Sequence, residues 1–183
     1  MSRVTLGDVA RESKKTLKNY NSNFPIVGLE HLDPGEINLT RWSKEESNTF
    51  RKVFSRGQVL FGRRRAYLRK AVLAPFEGLC SGDITVIEAL PQVILPELLP
   101  FVVQNDTFFD YALKKSSGSM SPRVKWDYLS LYEFNLPKID EQKAAADVLW
   151  KITNLRAKYK ELIQSCDDLT KSQFVNDFKL EMN

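Results

Sequence analysis

The sequence has few histidines and cysteines and no long apolar run. Zinc-binding, disulfide-stabilised and membrane-spanning proteins depend on these features. It contains one histidine, His31, and two cysteines, Cys80 and Cys166, which lie far apart in dissimilar contexts. This inventory argues against a zinc site and against a disulfide framework, and it favours reduced thiols. No stretch approaches the roughly 18 consecutive apolar residues of a membrane span, and the N-terminal MSRVTLGDVARESKK lacks the apolar region of a signal peptide. We therefore predict a cytoplasmic protein with no bound metal and no membrane partner.

Motifs that support catalysis are also missing. There is no GxxxxGK[ST] phosphate loop, and GRRRAYLRK lacks the second glycine and the hydroxyl that would hold a nucleotide with magnesium. A nuclease of the Asp…Glu-x-Lys type needs a lysine beside its second acid, whereas Ala89 and Leu90 follow Glu88. The (D/N)PP(Y/F) tetrapeptide of DNA methyltransferases that modify amino groups does not occur. The sequence predicts a binding protein with no catalytic residue and no cofactor of its own.

Acidic residues are absent from two segments that are rich in arginine and lysine. The first basic segment, residues 56 to 70 (RGQVLFGRRRAYLRK), has six basic residues, and the second basic segment, residues 114 to 125 (KKSSGSMSPRVK), has four. Of the 27 basic residues, 17 remain elsewhere against 23 acidic ones, although the whole chain has a net charge of +4. A single basic run is about as often a solvated surface turn as a binding site, and a Ser/Gly loop by itself is usually a mobile connection. Two such segments in one small chain favour a nucleic-acid partner.

The two segments offer complementary chemistry to such a partner. Arg63, Arg64 and Arg65 follow Gly62, and guanidinium groups there can neutralise phosphates or pair with a guanine edge. Tyr67 adds a planar ring with a hydroxyl. In the second segment, four serines and a glycine supply hydrogen-bonding groups between two pairs of cations. Such a loop is suited to lie along a groove and to bond to phosphates or bases.

The apolar pattern predicts an α+β fold, with a mixed globular part followed by a long helix. Strands are predicted for QVLFG (58–62), AVLAP (71–75) and DITVIEAL (83–90), and also for FPIVGLEHL (24–32) and YLSLYEFNLP (128–137). Helices are predicted at residues 5 to 18, 97 to 104 and 107 to 115, the last one capped by Asn105 or Asp106. We predict a globular domain over residues 1 to 138 and a helix over residues 139 to 183.

The C-terminal part has the spacing of a coiled coil. From Asp140 onward there is no glycine or proline, and apolar residues recur in alternating steps of four and three. These residues, the heptad seam, are Val148, Ile152, Leu155, Tyr159, Leu162, Cys166 and Leu169. About 30 residues of helix form a rod on the order of 45 Å long, too long to pack wholly on so small a domain. The narrow stripe favours pairing with a second copy or a partner helix, parallel or antiparallel, over a helix folded back on its own domain, which usually has a wider stripe.

As an ordered set, these segments resemble the specificity (S) subunit of type I restriction-modification enzymes. The resemblance covers nearly the whole chain and is carried by FPIVGLEHLDPGEI, by GQVLFGRRRAYLRKAVLAPFEGLCSGDITVIEA, by FFDYALKKSSGSMSPRVKWDYLSLYEFNLPKIDEQ and by the long helix. It implies a non-catalytic target recognition domain that reads a short half-site in double-stranded DNA. It also implies a spacer helix that docks methyltransferase (modification) subunits. S-adenosylmethionine and ATP would then bind the modification and restriction subunits.

Residue by residue, the resemblance implies two groups of DNA contacts. In the first basic segment they are Arg63, Arg64, Arg65, Tyr67 and Arg69. In the second they are Lys114, Lys115, Ser116, Ser117, Ser119, Arg123 and Lys125. Other matching positions are expected to shape turns and the junction with the helix: Gly57, Gly62, Leu136, Pro137, Glu141 and Gln142. Which of the contacts read bases, and which DNA sequence they read, is left open.

The chain departs from the family in its size. A usual S subunit has two recognition domains and two spacer helices, whereas this sequence has one of each and no internal repeat. Two copies joined through their helices would restore the two-domain arrangement and read inverted half-sites, whether the chain is a natural half-subunit or a fragment. The alternative function is a coiled-coil adaptor whose globular part binds an acidic protein. A stand-alone methyltransferase or nuclease is disfavoured by the missing motifs.

Overall fold

The computed structural model describes residues 1–17, 24–44 and 49–180, with side chains as far as residue 176 of the last helix. Besides two 3-10 turns, Leu29–His31 and Ala66–Leu68, the described residues form helices and strands in a mixed order. In chain order these are β1 (Ser2–Thr5), α1 (Leu6–Val9), β2 (Ala10–Glu12), β3 (Ile26–Val27), β4 (Lys52–Phe54), β5 (Val59–Gly62), β6 (Ala71–Leu73), β7 (Gly78–Cys80), β8 (Ile84–Ala89), α2 (Leu99–Val103), α3 (Asp106–Lys114), α4 (Trp126–Leu129), β9 (Glu133–Leu136) and α5 (Ile139–Leu180).

The strands form small sheets rather than one continuous layer. β2, β8, β5 and β6 make an antiparallel sheet in that order, and β3, β7 and β4 make a second sheet in which β3 and β7 run parallel. β1 pairs antiparallel with β9, so the first strand lies beside the strand that leads into α5. The predicted α+β class is confirmed.

Alternation along β5 builds a core on each of its faces. Leu60 is fully buried among side chains from both larger sheets, including Phe54 of β4 and Val86 of β8. The next residue, Phe61, packs with α3, because its ring centroid lies 5.5 Å from that of Phe108 and 5.9 Å from that of Phe109. These rings hold α3 against the sheet, and α3 ends at the start of the second basic segment.

Several predicted elements are confirmed with small changes of length. β5, β6 and β8 lie within the ranges predicted as strands, and α2 and α3 correspond to the two predicted central helices. Asn105 caps α3, as predicted, and its side-chain oxygen accepts a hydrogen bond from the N–H of Thr107 at 2.9 Å. Strands β1, β4 and β7 were not predicted, because such short segments are specified by their pairing partners rather than by their own pattern.

The helix predicted over residues 5 to 18 is wrong. Only α1 is helical, and its start is fixed by Asp8, whose carboxylate accepts hydrogen bonds from the N–H and the hydroxyl of Thr5, both at 2.7 Å. Residues Ala10–Glu12 then pair with β8, so the backbone groups that a helix would use are satisfied by the sheet. Lys18, the predicted end, lies outside the described residues.

Two predicted strands were too long. In the range 24–32, only Ile26–Val27 forms a strand, and a 3-10 turn follows in which Nδ1 of His31 accepts a hydrogen bond from the N–H of Gly28 at 2.9 Å. In the range 128–137, the chain begins in α4 and becomes extended only at β9. Both errors arise at turns, where one side chain or one helical cap interrupts an otherwise β-like pattern.

The beginning of α5 is tied to the globular part by Gln142. This buried side chain accepts a hydrogen bond from the N–H of Leu95 at 2.9 Å and donates to the carbonyl of Pro137 at 3.1 Å. Glu141 accepts from the N–H of Lys138 at 3.1 Å, which satisfies a donor at the start of the helix. Glu141 and Gln142 therefore act at the turn into the helix, where the resemblance placed them.

The chain divides into two compact units, Met1–Ala146 and Asp147–Asn183. The predicted division after residue 138 stays a prediction; α5 begins at Ile139. α5 has 42 residues and measures about 63 Å at 1.5 Å per residue. In the second unit, Cys166 is exposed and the other members of the heptad seam are each more than half exposed in the single chain. No helix among the described residues combines the length and hydropathy that a bilayer span requires.

Candidate nucleic-acid interface

The two basic segments, distant in sequence, are neighbours in the folded first unit. Arg64 and Arg123 form an antiparallel β-bridge. On either side of it, the N–H of Arg65 donates to the carbonyl of Pro122 at 2.8 Å, and the N–H of Val124 donates to the carbonyl of Arg63 at 3.0 Å. The backbone thus brings the arginine run (residues 63–65) beside the serine loop (residues 116–122).

The serine loop of the second basic segment is closed at its base. Ser117 and Arg123 exchange two backbone hydrogen bonds of 2.9 Å each, so the residues between them form a narrow exposed loop. Gly118 has a φ of +109°, a backbone conformation that favours glycine. Ser117 and Ser119 are exposed on this loop. Ser116 differs, because its hydroxyl donates to the carbonyl of Ala112 at 2.9 Å and closes the end of α3.

Lysines flank the loop on both sides. Lys114 is the last residue of α3 and Lys115 its C-cap, where the helix dipole favours positive charge. The ammonium of Lys115 lies 5.8 Å from the centre of the Tyr111 ring. Lys125 is the N-cap of α4. All three lysines are exposed, so they are accessible to an anionic ligand.

Arg65 and Arg69 have an unusual backbone conformation. Their φ angles are +55° and +51°, in the left-handed region, and they flank the 3-10 turn that carries the exposed Tyr67. This conformation costs a non-glycine residue roughly 1–2 kcal/mol. Strain of this kind persists where the surrounding structure enforces it, and it is concentrated at binding sites.

Acids from outside the two segments neutralise part of their charge. Asp83 accepts hydrogen bonds from Nε of Arg123 at 2.8 Å and from the guanidinium of Arg64 at 3.3 Å. Arg69 forms ion pairs with Asp106 and with Asp110, the second at 2.9 Å. The hydrogen bond from the Arg123 guanidinium is the main reason why the pKa of Asp83 lies below its ordinary value. These pairings were missed by sequence reasoning, because a carboxylate remote in sequence leaves no local signal.

The three consecutive arginines occupy different environments. Arg65 is exposed, whereas Arg63 and Arg64 are half-buried. Nε of Arg63 is enclosed and has no hydrogen-bond partner within the described part of the chain, while its backbone N–H donates to the carbonyl of Asp83 at 3.0 Å. Of the three, Arg65 is therefore the most accessible to a ligand.

A cleft of about 190 Å³ adjoins the arginine run. The residues that line it include Arg64, Arg65 and Glu30, and its lysine, Lys70, donates to the carbonyl of Leu29 at 2.7 Å. Base edges in the major groove present both acceptors and donors, for which guanidinium and carboxylate groups are the respective partners. Across residues 1–17, 24–44 and 49–180, no group of three or more His, Cys, Asp or Glu side chains is placed to hold a metal ion.

Solved structures with the same fold come from type I restriction-modification systems. The HsdS subunit from Thermoanaerobacter tengcongensis is 23% identical, with a TM-score of 0.71 over 88% of this chain and 44% of that one. A chain from a study of complex assembly and conformational transition of the type I R-M system is 22% identical, with a TM-score of 0.71 over 89% of this chain and 44% of that one. The S subunit from M. genitalium is 12% identical, with a TM-score of 0.55 over 81% and 37%.

Sequence comparisons agree with the fold. The type I restriction enzyme EcoDI specificity subunit of Escherichia coli is 29% identical over an alignment of 123 residues, which covers 61% of this chain and 27% of that subunit. The chain thus spans less than half the length of each of these relatives. The family model of the type I restriction modification DNA specificity domain matches residues 1–165. This match includes most of the chain and confirms the resemblance found in the sequence. The protein therefore belongs to the type I restriction-modification DNA specificity domain family.

Proposed function

We propose that this chain is the DNA-reading component of a type I restriction-modification system and binds double-stranded DNA through the two basic segments. The observation that carries the proposal is the β-bridge between Arg64 and Arg123, which holds the two segments side by side. Family membership supports DNA as the ligand of this surface. The candidate contacts are the residues inferred from the sequence. Their environments indicate which of them are suited to contact phosphates, which to make oriented contacts and which to support the surface.

The exposed cations are best suited to phosphates. Arg65 and the three lysines Lys114, Lys115 and Lys125 form no ion pair among the described residues, so their charge is available to the DNA backbone. Tyr67, Ser117 and Ser119 are exposed and offer hydroxyls beside them. Arg64, Arg69 and Arg123 are held by carboxylates, which favours oriented contacts over diffuse attraction. Arg63 and Ser116 are proposed to support the surface from behind.

We propose that the chemistry resides on partner subunits. The sequence has no motif for methyl transfer or nucleotide hydrolysis, so S-adenosylmethionine and ATP are assigned to methyltransferase and restriction subunits. The E. coli relative is named as a subunit of a restriction enzyme, and one structural relative comes from a study of complex assembly. Co-purification of a methyltransferase subunit with the tagged chain is the measurement of this association.

We further propose a homodimer joined through antiparallel α5 helices. The chain spans 44% of the length of two structural relatives, so two copies would approximate one whole subunit. The exposed heptad seam is an apolar surface that such pairing would cover. A two-fold dimer would present the two recognition domains to inverted half-sites.

Selection from a pool of random-sequence duplexes tests the function directly. We expect the purified chain to enrich one short motif, present as an inverted pair if the dimer binds. Its affinity for the enriched duplex is expected to fall by roughly 10³-fold or more between 50 and 200 mM salt if six or more phosphates are contacted. Binding that enriches no sequence and ignores salt would contradict the proposal. Retention of an acidic protein with no duplex preference would favour the adaptor function instead.

Thiol cross-linking distinguishes the two directions of helix pairing. Burial raises the pKa of the Cys80 thiol to about 12, so Cys166 is the thiol expected to react. In an antiparallel pair centred near Tyr159, the two Cys166 sulfurs are on the order of 20 Å apart along the axis. We expect no disulfide-linked dimer on oxidation, whereas a long flexible bismaleimide joins the two chains and Cys166→Ser abolishes the product. Ready disulfide formation would contradict an antiparallel pair with this centre, because the two sulfurs of a disulfide are directly bonded.

A further inference from the structure

The carboxylate of Asp83 lies between the two basic segments and binds one arginine from each. We infer that Asp83 is a positioning residue of the DNA-reading surface, which orients Arg64 and Arg123 together and thereby sets sequence discrimination. This inference rests on the proposed function of that surface. Asp83 is negatively charged and by itself repels DNA. By orienting the two arginines, it nevertheless favours the recognition of a specific DNA sequence.

The contacts of Asp83 use its two oxygens differently. Oδ1 accepts from Nε of Arg123 at 2.8 Å. Oδ2 accepts from Arg64 at 3.3 Å and makes a longer contact of 3.5 Å with a terminal nitrogen of Arg123. Nε of Arg64 is engaged as well, because it donates to the hydroxyl of Ser121 at 2.6 Å. Each guanidinium is therefore fixed at two of its nitrogens, and the planar group cannot rotate freely.

Asp83 is itself held firmly enough to act as an anchor. Its backbone N–H donates to the hydroxyl of Ser81 at 3.2 Å, and its carbonyl accepts from the N–H of Arg63 at 3.0 Å. Ile84, the next residue, is fully buried at the start of β8. The carboxylate is thus fixed at the edge of the sheet and is only 20% exposed. A site of recognition needs such a supporting layer to hold its contacts within a fraction of an ångström.

The pairing leaves donors for a ligand. The side chains of Arg64 and Arg123 remain 38% and 46% exposed, and each has one terminal nitrogen that these contacts do not use. A guanidinium that is held at two nitrogens by neighbouring side chains is pre-organised for a directed hydrogen bond to a base or phosphate. Phosphate attraction depends on net charge, whereas base readout depends on orientation. Asp83 therefore weakens the attraction to phosphates and improves the readout of bases.

These opposite effects make Asp83→Asn an informative variant. Asparagine keeps the shape of the side chain and one acceptor but removes the negative charge. We expect the affinity for random-sequence duplexes to stay equal or rise up to threefold. The affinity for the duplex enriched by the wild-type chain is expected to fall roughly 5- to 100-fold, as for the removal of one specific base pairing. The ratio of the two affinities is the quantity to compare, at one fixed salt concentration.

Two further variants separate positioning from folding. Glu88→Gln removes the same charge from another arginine pair, since Glu88 binds Arg11 at 3.0 Å, and it is expected to leave the ratio unchanged. Asp83→Glu restores the charge and is expected to recover part of the discrimination. The melting temperature of each variant is measured beside its DNA affinities.

The outcomes distinguish the inference from the function on which it rests. An unchanged ratio in Asp83→Asn, with the wild type still enriching a motif, would overturn the role of Asp83 and leave the proposed function standing. A parallel loss of both affinities with a lower melting temperature would also overturn it, because that pattern means a structural role only. A wild-type chain that enriches no duplex removes the proposed function, and the inference with it.

Discussion

The double variant Leu155→Asp/Leu162→Asp is expected to sediment as a monomer at concentrations where the proposed dimer of the wild-type chain is expected to form. Both leucines belong to the heptad seam and are more than half exposed in the single chain. Burying a leucine side chain contributes about 1.5–3 kcal/mol, and a homodimer loses both leucines from both helices. The aspartates would in addition have to lose their hydration in an apolar seam. We therefore expect the dissociation constant to rise by several orders of magnitude.

The opposite face of the same helix provides a matched control. Ala157 and Gln164 are exposed, have the same spacing of seven, and each lies two residues after one of the two leucines. Two residues along a helix turn the side chain by about 200°, away from the seam. Ala157→Asp/Gln164→Asp introduces the same residues and is expected to remain dimeric. A seam variant that still sediments as a dimer would refute the seam as the interface.

Replacing Arg63, Arg64 and Arg65 together by alanine is expected to weaken duplex binding on the order of 100- to 1000-fold. Charge-assisted hydrogen bonds contribute about 1.5–3 kcal/mol each, and Arg64 and Arg65 are the members of this run that a ligand reaches most readily. The slope of log affinity against log salt is expected to become shallower by about 0.9 for each phosphate that the variant no longer neutralises. Titration of a labelled duplex at several salt concentrations measures both quantities.

Arg65→Gly separates an effect on DNA binding from an effect on folding. Glycine suits the left-handed backbone at this position, where φ is +55°, so we expect the melting temperature to stay equal or rise. Binding is expected to weaken roughly tenfold, as for the removal of one charged hydrogen bond.

Arg3→Ala/Arg11→Ala removes two exposed arginines that pair with Glu133 and Glu88, outside the basic segments, and serves as the charge control. Unchanged affinity in the triple variant would remove the arginine run from the interface.

Much of the fold and of the candidate surface could be predicted from local pattern. The strands β5, β6 and β8 have β-branched and apolar residues bounded by glycine and proline, so their positions could be predicted from the sequence. Asn105 was identified as a helix cap because its amide can bond to a nearby N–H. Where the pattern failed, as in Ala10–Glu12, the backbone paired with β8, a strand that lies far along the chain.

The family, the two basic segments and the heptad seam could be recognised from the amino-acid order alone, because each is a pattern of residue types along the chain. The folded structure was needed to establish that Arg64 and Arg123 lie side by side and that Asp83 binds both of them. Interactions between remote residues depend on how strands pair and turns close, and these are set by the summed packing of the whole unit. For the same reason, the acid-free segments of the sequence became a partly neutralised, oriented surface in the fold.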